Sequence, residues 1–207
     1  LAAIGRVPNT DADWFRSSGL KLDERGYVTV DGYGRTNLDG VWALGDITPG
    51  HALAHRAFEQ GITIAEKIAG ADPKPVIDDT VPQVVFSFPE AASVGLTLDQ
   101  AKALEDVVEP KETAYPMLSN ARMLMSGEGG SMTVVSGAFA NNPDMQVVLG
   151  VHIVSPIASD LIAEAEQLVG NRVPLADAAR LIHPHPTFSE TLGEALLKAD
   201  GRPLHTR

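Results

Sequence analysis

MTVVSGAFA (132–140) and QVVLGVHIVS (146–155) flank the turn cluster NNPD (141–144). Two apolar, β-branched runs around such a cluster predict an antiparallel hairpin. After it, residues 157–169 and 174–182 carry apolar positions at helical spacing, and TFSETLGEALLKA (187–199) predicts a last helix. Before it, QVVFSF (83–88) has strand character and TLDQAKAL (97–104) predicts a short helix begun by Thr97 as cap. Strands followed by helices make an α+β unit.

Working toward the start of the chain, ADPKPVIDDTVP (71–82) holds three prolines and three aspartates, the composition of a linker. A domain boundary is expected near residue 80, which gives units at 1–80 and 81–207. In the first, LAAI (1–4), YVTV (27–30) and VWAL (41–44) are strand-like runs. HALAHRAFEQGITIAEKIA (51–69) has Leu53, Ala57, Ile64 and Ile68 at helical spacing, with Gly70 as C-terminal cap. The fold expected is α/β followed by α+β with an antiparallel sheet and flanking helices. No charged segment precedes the apolar run at Leu1, so a signal peptide is not expected and the chain is expected to be a piece of something longer.

The formal charge of −11 is spread along 207 residues with no Lys/Arg cluster, which argues against nucleic acid as a partner. No apolar run approaches the roughly 18 residues of a membrane helix. Zero cysteines exclude disulfides and thiolate zinc sites, and suit a reducing cytoplasm.

Gly45-Asp46 follows VWAL at the carboxyl end of a strand-like run, where a crevice opens in α/β layers. Glycine lets a ligand approach the backbone there, and aspartate accepts from hydroxyls. Gly-Asp is equally a common turn pair. The helix start near 51–55 offers free N–H groups and a positive dipole end. His51 and His55 are four apart with Glu59 a turn on, yet nothing is spaced to complete a metal shell.

HPHPTFSE (183–190) sets two histidines on a proline-stiffened segment. It could be an HxH metal pair. It could be structure, because Thr187-x-x-Glu190 is a capping-box pattern. It could be catalytic, because a histidine with a carboxylate on its far ring nitrogen is suited to general acid–base work. His183 has no such partner by sequence. Capping and orienting a histidine are expected to require different rotamers of Glu190.

These segments together resemble the C-terminal half of the flavin-dependent pyridine nucleotide-disulfide oxidoreductases. AIGRVPNT (3–10), TNLDGVWALGDIT (36–48), LAHRAFEQG (53–61), VVFSFPEAASVGLT (84–97) and HPHPTFSE fall in that family's order, and the last is most similar to the motif of its dihydrolipoamide dehydrogenases. The resemblance implies that 1–80 is the end of an NAD-binding domain with the C-terminal segment of an FAD-binding domain, and that 81–207 is a homodimerisation domain. It implies that Asp46, after Gly45, binds the ribityl hydroxyls of FAD and that the backbone of Ala52, Leu53, Ala54 and His55 meets the flavin's pyrimidine edge. Gly5 would lie near the nicotinamide cofactor. His185 would be the base that deprotonates a dihydrolipoamide or lipoyl-domain dithiol, oriented by Glu190 and serving the opposite subunit's flavin and disulfide.

The family's redox cysteines and Gly-rich fingerprints belong to its N-terminal half. This chain, with no cysteine, is therefore expected to be inactive alone and to bind neither FAD nor NAD by itself. The tail ADGRPLHTR (199–207) and the segment NNPDMQ (141–146) are less familiar. Quinone, mercuric and glutathione-type reductases share the frame, as does a role as a dimerisation module alone.

Overall fold

The computed structural model describes residues 1–206. It divides into two units, Leu1–Asp78 and a second from Asp79 onward.

In the first unit only two stretches are α-helical, α1 (Asp13–Ser18) and α2 (Ala54–Ile68). The three expected strands do not form as strands. LAAI has no ladder partner among the described residues, with Leu1 and Ile4 fully exposed. YVTV and VWAL contribute only the isolated bridges Leu22↔Val28 and Arg35↔Trp42. A strand exists only as part of a ladder, and the backbone groups here are taken by turns instead. Asp23 accepts from Arg25 N and Tyr27 N, and Asp31 accepts from Tyr33 N and Arg35 N, each carboxylate closing a tight turn. Val28 N donates to Ile47 O and Ala43 N to Gly34 O. Phe15, Val28 and Ala43 form a small core with Leu20, Leu22, Val30 and Ile47 against them.

Helix α2 begins at Ala54, three residues later than the apolar spacing suggested. Its end agrees with the expected cap: Gly70 takes φ +85° and its N–H bonds Lys67 O. Buried Arg56 on α2 meets Asp78 at 2.6 Å from its Nε and Pro49 O at 2.6 Å from a terminal nitrogen, tying the helix to the unit's last residue.

The second unit is a five-stranded antiparallel sheet of order β1-β2-β5-β4-β3. Its elements in chain order are β1 (Gln83–Val85), β2 (Glu90–Gly95), α3 (Leu98–Ala103), β3 (Val107–Pro116), α4 (Ala121–Ser126), β4 (Ser131–Phe139), β5 (Asn142–Ser155), α5 (Ala158–Gly170), α6 (Leu175–Ala178) and α7 (Glu190–Ala199). The hairpin that predicted this architecture is β4–β5. Its turn is Ala140-Asn141 rather than NNPD, because Asn142 already pairs with Phe139, and residues 143–146 form an irregularity of β5 between the pairs Phe139↔Asn142 and Gly137↔Val147.

Met132 and Val134 of β4 face one side of the sheet with Val94, Val151 and Ile153, and Val135 faces the other with Val147 and Leu149. A register shift after Val135 resets this alternation, so Val148 joins the face of Val151. Helices α5 and α7 cover that first face. Leu161, Ile162, Ala165, Leu168 and Val169 recur at helical spacing on α5, and Leu192, Ala195, Leu196 and Ala199 on α7. Fully buried Leu192 and Leu196 each contribute about 1.5–3 kcal/mol of burial free energy. Gly95 ends β2 at φ +79°, where a Cβ would stand 2.2 Å from Leu149 O, so only glycine fits the crossing to β5.

Helix α3 starts as expected, with Thr97 and Gln100 forming a capping box. The predicted helix over 174–182 shrinks to α6, because Leu181 and Ile182 are exposed and have no core to bury against. Strand β3 went unassigned in sequence: Val107, Thr113 and Tyr115 face inward, but Lys111, Glu112 and two prolines interrupt any strand-like run.

Candidate active site

HPHPTFSE forms an irregular segment that leads into α7, which starts at Glu190 rather than at Thr187. Two prolines remove backbone donors here, and the segment's shape is set by side chains. Asn120, 5% exposed, caps α4 by accepting from Met123 N at 3.0 Å and donates from Nδ2 to Thr187 O at 3.1 Å. Arg122 of α4 lies over the Phe188 ring at 5.4 Å. Thr187 Oγ1 donates to Pro184 O at 2.6 Å, which closes the loop on itself.

Glu190 uses both of its carboxylate oxygens. Its Oε1 accepts from Nδ1 of His185 at 2.8 Å, and its Oε2 accepts from Thr187 N at 2.7 Å. The sequence expectation is corrected: the two carboxylate oxygens take two partners in one rotamer, the His185 ring and the Thr187 N–H of the loop, while the helix itself starts at Glu190 with Ser189 as N-cap and no side-chain cap, so the capping reading is not met. The reciprocal half of a capping box is absent, since Thr187 Oγ1 bonds Pro184 O and Ser189 Oγ instead. Burial pushes the Glu190 carboxyl up, but the Thr187 N–H and the His185 imidazole together outweigh it and hold it below the usual carboxylate range. With Nδ1 bonded to Glu190, Nε2 is the ring nitrogen left outside that contact, on a side chain that is 70% exposed.

His183 was read as having no carboxylate partner, and this too is corrected. Its Nε2 donates to Oε1 of Glu164 on α5 at 2.8 Å. That carboxylate raises the imidazole's affinity for a proton, against the opposing effect of burial. Glu164 lies 19 positions upstream on the polar side of an amphipathic helix, and no local pattern in the sequence could connect the two.

Sequence reasoning also missed a second exposed histidine on α7's carboxylates. His205, in the ADGRPLHTR tail, bonds Glu194 Oε1 through Nδ1 at 2.7 Å, and its backbone N–H reaches Glu194 Oε2 at 3.2 Å. The hydroxyl of buried Tyr115 has no hydrogen-bond partner. Burial, then Glu194 and Glu190, push that phenol up to about 12.

The remaining candidates lie in the first unit. Gly45 opens a 3-10 turn, Gly45–Ile47, at φ +72°, and its N–H donates to Gln60 Oε1 of α2 at 2.9 Å. Asp46 is exposed beside it. Ala52, Ala54 and His55 are exposed and Leu53 half-buried at the start of α2, whose N-cap residue Leu53 supplies no side-chain cap. That helix end carries a positive dipole, with the carboxylate of Asp46 close in sequence. Gly5 sits at φ +115° with nothing within 4 Å of its Cβ direction. Among the described residues no group of three or more His, Asp or Glu is arranged to hold a metal. No helix there is long and apolar enough to cross a membrane.

Comparison with known proteins places this geometry. Residues 1–61 match the family model of the pyridine nucleotide-disulphide oxidoreductases, and residues 81–196 match that family's dimerisation domain. A dihydrolipoyl dehydrogenase of Cupriavidus necator is 41% identical over 207 residues, 99% of this chain and 42% of that protein. One from Bacillus subtilis is 36% identical over 206 residues, with the same two shares. The chain thus spans about 42% of the length of these relatives. Among solved structures, LpdA of Mycobacterium tuberculosis superposes with a TM-score of 0.83 at 31% identity, covering 95% of this chain and 41% of that one. The HOCl-induced flavoprotein disulfide reductase RclA of Escherichia coli shares the fold at a TM-score of 0.80 and 23% identity, over 94% of this chain and 43% of that one. With more than half of its residues matched by the dimerisation model alone, the chain belongs to the pyridine nucleotide-disulphide oxidoreductase family.

Proposed function

We propose that this chain is the C-terminal part of a dihydrolipoyl dehydrogenase, a flavoenzyme that oxidises a dihydrolipoamide dithiol and passes the electrons to NAD. The single observation that carries the reading is the His185–Glu190 pair at 2.8 Å on a segment held by Asn120 and Thr187. Identity to dihydrolipoyl dehydrogenases over nearly the whole chain supports it.

In this reading His185 takes the proton of the substrate thiol on Nε2, which makes the thiolate available for attack on a disulfide. Glu190 keeps Nδ1 protonated, orients the ring and stabilises the imidazolium that forms. FAD, when bound, supplies the two-electron acceptor and NAD the final one. Asp46, following Gly45, would accept from the sugar-like hydroxyls of FAD. The backbone of Ala52, Leu53, Ala54 and His55 would meet its electron-rich ring edge at the uncapped start of α2. Gly5 would stand near the nicotinamide.

Residues 1–80 then form the end of an NAD-binding domain and the last FAD-domain segment, and 81–207 a homodimer interface that carries His185 to the opposite subunit. The absence of cysteine suits a cytoplasmic setting. It also leaves the 207 residues without a redox disulfide, so they are inactive alone, and without the family's Gly-rich fingerprints they hold neither FAD nor NAD by themselves. The full-length protein should oxidise dihydrolipoamide with NAD, and its His185→Gln variant should lose nearly all of that turnover while keeping its flavin. An unimpaired variant would refute His185 as base, and dithiol-dependent NADH formation by the isolated 207 residues would refute the fragment reading.

A further inference from the structure

The two histidines of HPHPTFSE have opposite surroundings. The His183 side chain is 9% exposed, against 70% for His185 two positions on. Its imidazole spans two helices. On one side Nε2 meets Glu164 of α5 at 2.8 Å. On the other it lies against α7 at Gly193, where a Cβ would come within 2.6 Å of its Nδ1 and 2.9 Å of its Cε1. The ring occupies the space that any larger residue at 193 would need.

From that anchor, one proline-restricted residue leads to His185, and Thr187 on the far side is held by Asn120 and Glu190. The segment bearing the exposed imidazole therefore has fixed points at both ends. Pro184 locks its own φ and narrows the conformations of His183, so a displacement at 183 reaches 185 instead of being absorbed by a flexible link.

We propose that Glu164 and His183 are positioning residues for His185: their contact between α5 and α7 sets where the exposed imidazole stands, and neither touches substrate. The proposal rests on the reading of His185 as the base and extends it to a helix outside the motif. Charge-assisted hydrogen bonds are stronger and more directional than neutral ones, and Glu164 favours the protonated form of His183, which gives the anchor that character.

Glu164→Gln and Gly193→Ala press on the same imidazole from opposite sides. In the 207-residue chain, imidazole ¹⁵N spectra of both variants should show the His185 resonances shifted or broadened, with Glu164→Asp closer to wild type. In the full-length flavoenzyme both should lower kcat for the dithiol, by up to about 100-fold, with KM for the nicotinamide cofactor unchanged. Variants that melt at lower temperature yet leave the His185 resonances in place would make Glu164 and His183 merely structural and overturn the proposal. If the resonances move but the wild-type full-length protein does not oxidise dithiols, the positioning role stands and the dihydrolipoyl dehydrogenase reading fails.

Discussion

Glu190 and Glu194 lie one turn apart on α7, and each holds Nδ1 of an exposed histidine, His185 at 2.8 Å and His205 at 2.7 Å. Residues at this spacing share a helix face, and both carboxylates also act on the buried phenol of Tyr115. Each glutamate spends its second oxygen on a backbone N–H, of Thr187 or of His205 itself. The last helix thus organises the segments before and after it through two carboxylates of one design.

Replacing Glu190 by Gln removes the charge that keeps the proton on Nδ1 of His185. The neutral ring should then shift toward the Nε2-protonated tautomer, seen in its ¹⁵N shifts. On the proposed reading of the chain as part of a dihydrolipoyl dehydrogenase, dithiol turnover of the longer enzyme should fall by about 10² to 10⁴, the range a positioned acid–base group contributes. An unchanged tautomer balance would show that Glu190 serves only to hold the loop at Thr187.

Glu194→Ala should release the tail. The carboxylate is the partner of both His205 Nδ1 and His205 N, so hydrogen exchange of residues 204–206 should quicken while the sheet amides stay protected. Protection that persists in the tail would mean other contacts hold it.

His183 contributes to stability in a pH-dependent way. Glu164 raises its folded-state proton affinity above the ordinary value of 6.5. The stabilisation is therefore fully present below pH 6.5 and is lost as pH rises through the raised folded value. The Tm difference between wild type and Glu164→Gln should be largest in mildly acidic buffer and should shrink above neutrality. Glu190 acts in the opposite sense: its lowered carboxyl contributes above 4.5 and loses that contribution as pH falls through its depressed value. A wild-type advantage over Glu164→Gln that stayed constant across pH would exclude the His183 linkage.

Tyr115 is 1% exposed and its hydroxyl makes no hydrogen bond. Leaving a hydroxyl unpaired in an apolar core costs about 1 kcal/mol. Tyr115→Phe should therefore raise stability by roughly that amount, about 3 °C in Tm. A loss of stability would reveal a partner for the hydroxyl.

The hairpin was legible because β4 and β5 are long, apolar and β-branched, although the turn falls at Ala140-Asn141 and most of the polar cluster became part of β5. Helix α5 was legible because its apolar residues recur at helical spacing. Strand β3 was not, because its inward residues are separated by charges and prolines and only pairing with β4 makes them a strand. LAAI, YVTV and VWAL failed in the other direction: their apolar runs suit a sheet, but no ladder forms around them among the described residues. His185 and Glu190 were visible together because they are five positions apart. Glu164 and Asn120 were invisible because helix packing brings them to the motif from 19 and 67 residues away.

By itself the sequence determined the hairpin, the amphipathic helices, the stiffened HPHPTFSE segment and the resemblance that gave its histidine a chemistry. All of these depend on periodicity or on residues close along the chain. Only the tertiary structure decided that Glu190 holds the His185 ring and the loop N–H of Thr187 at once, and that His183 is seated between α5 and α7 with Glu164. These facts depend on where two oxygens of one carboxylate point and on which helices come together. Such relations arise from packing and leave no trace in the spacing of residues.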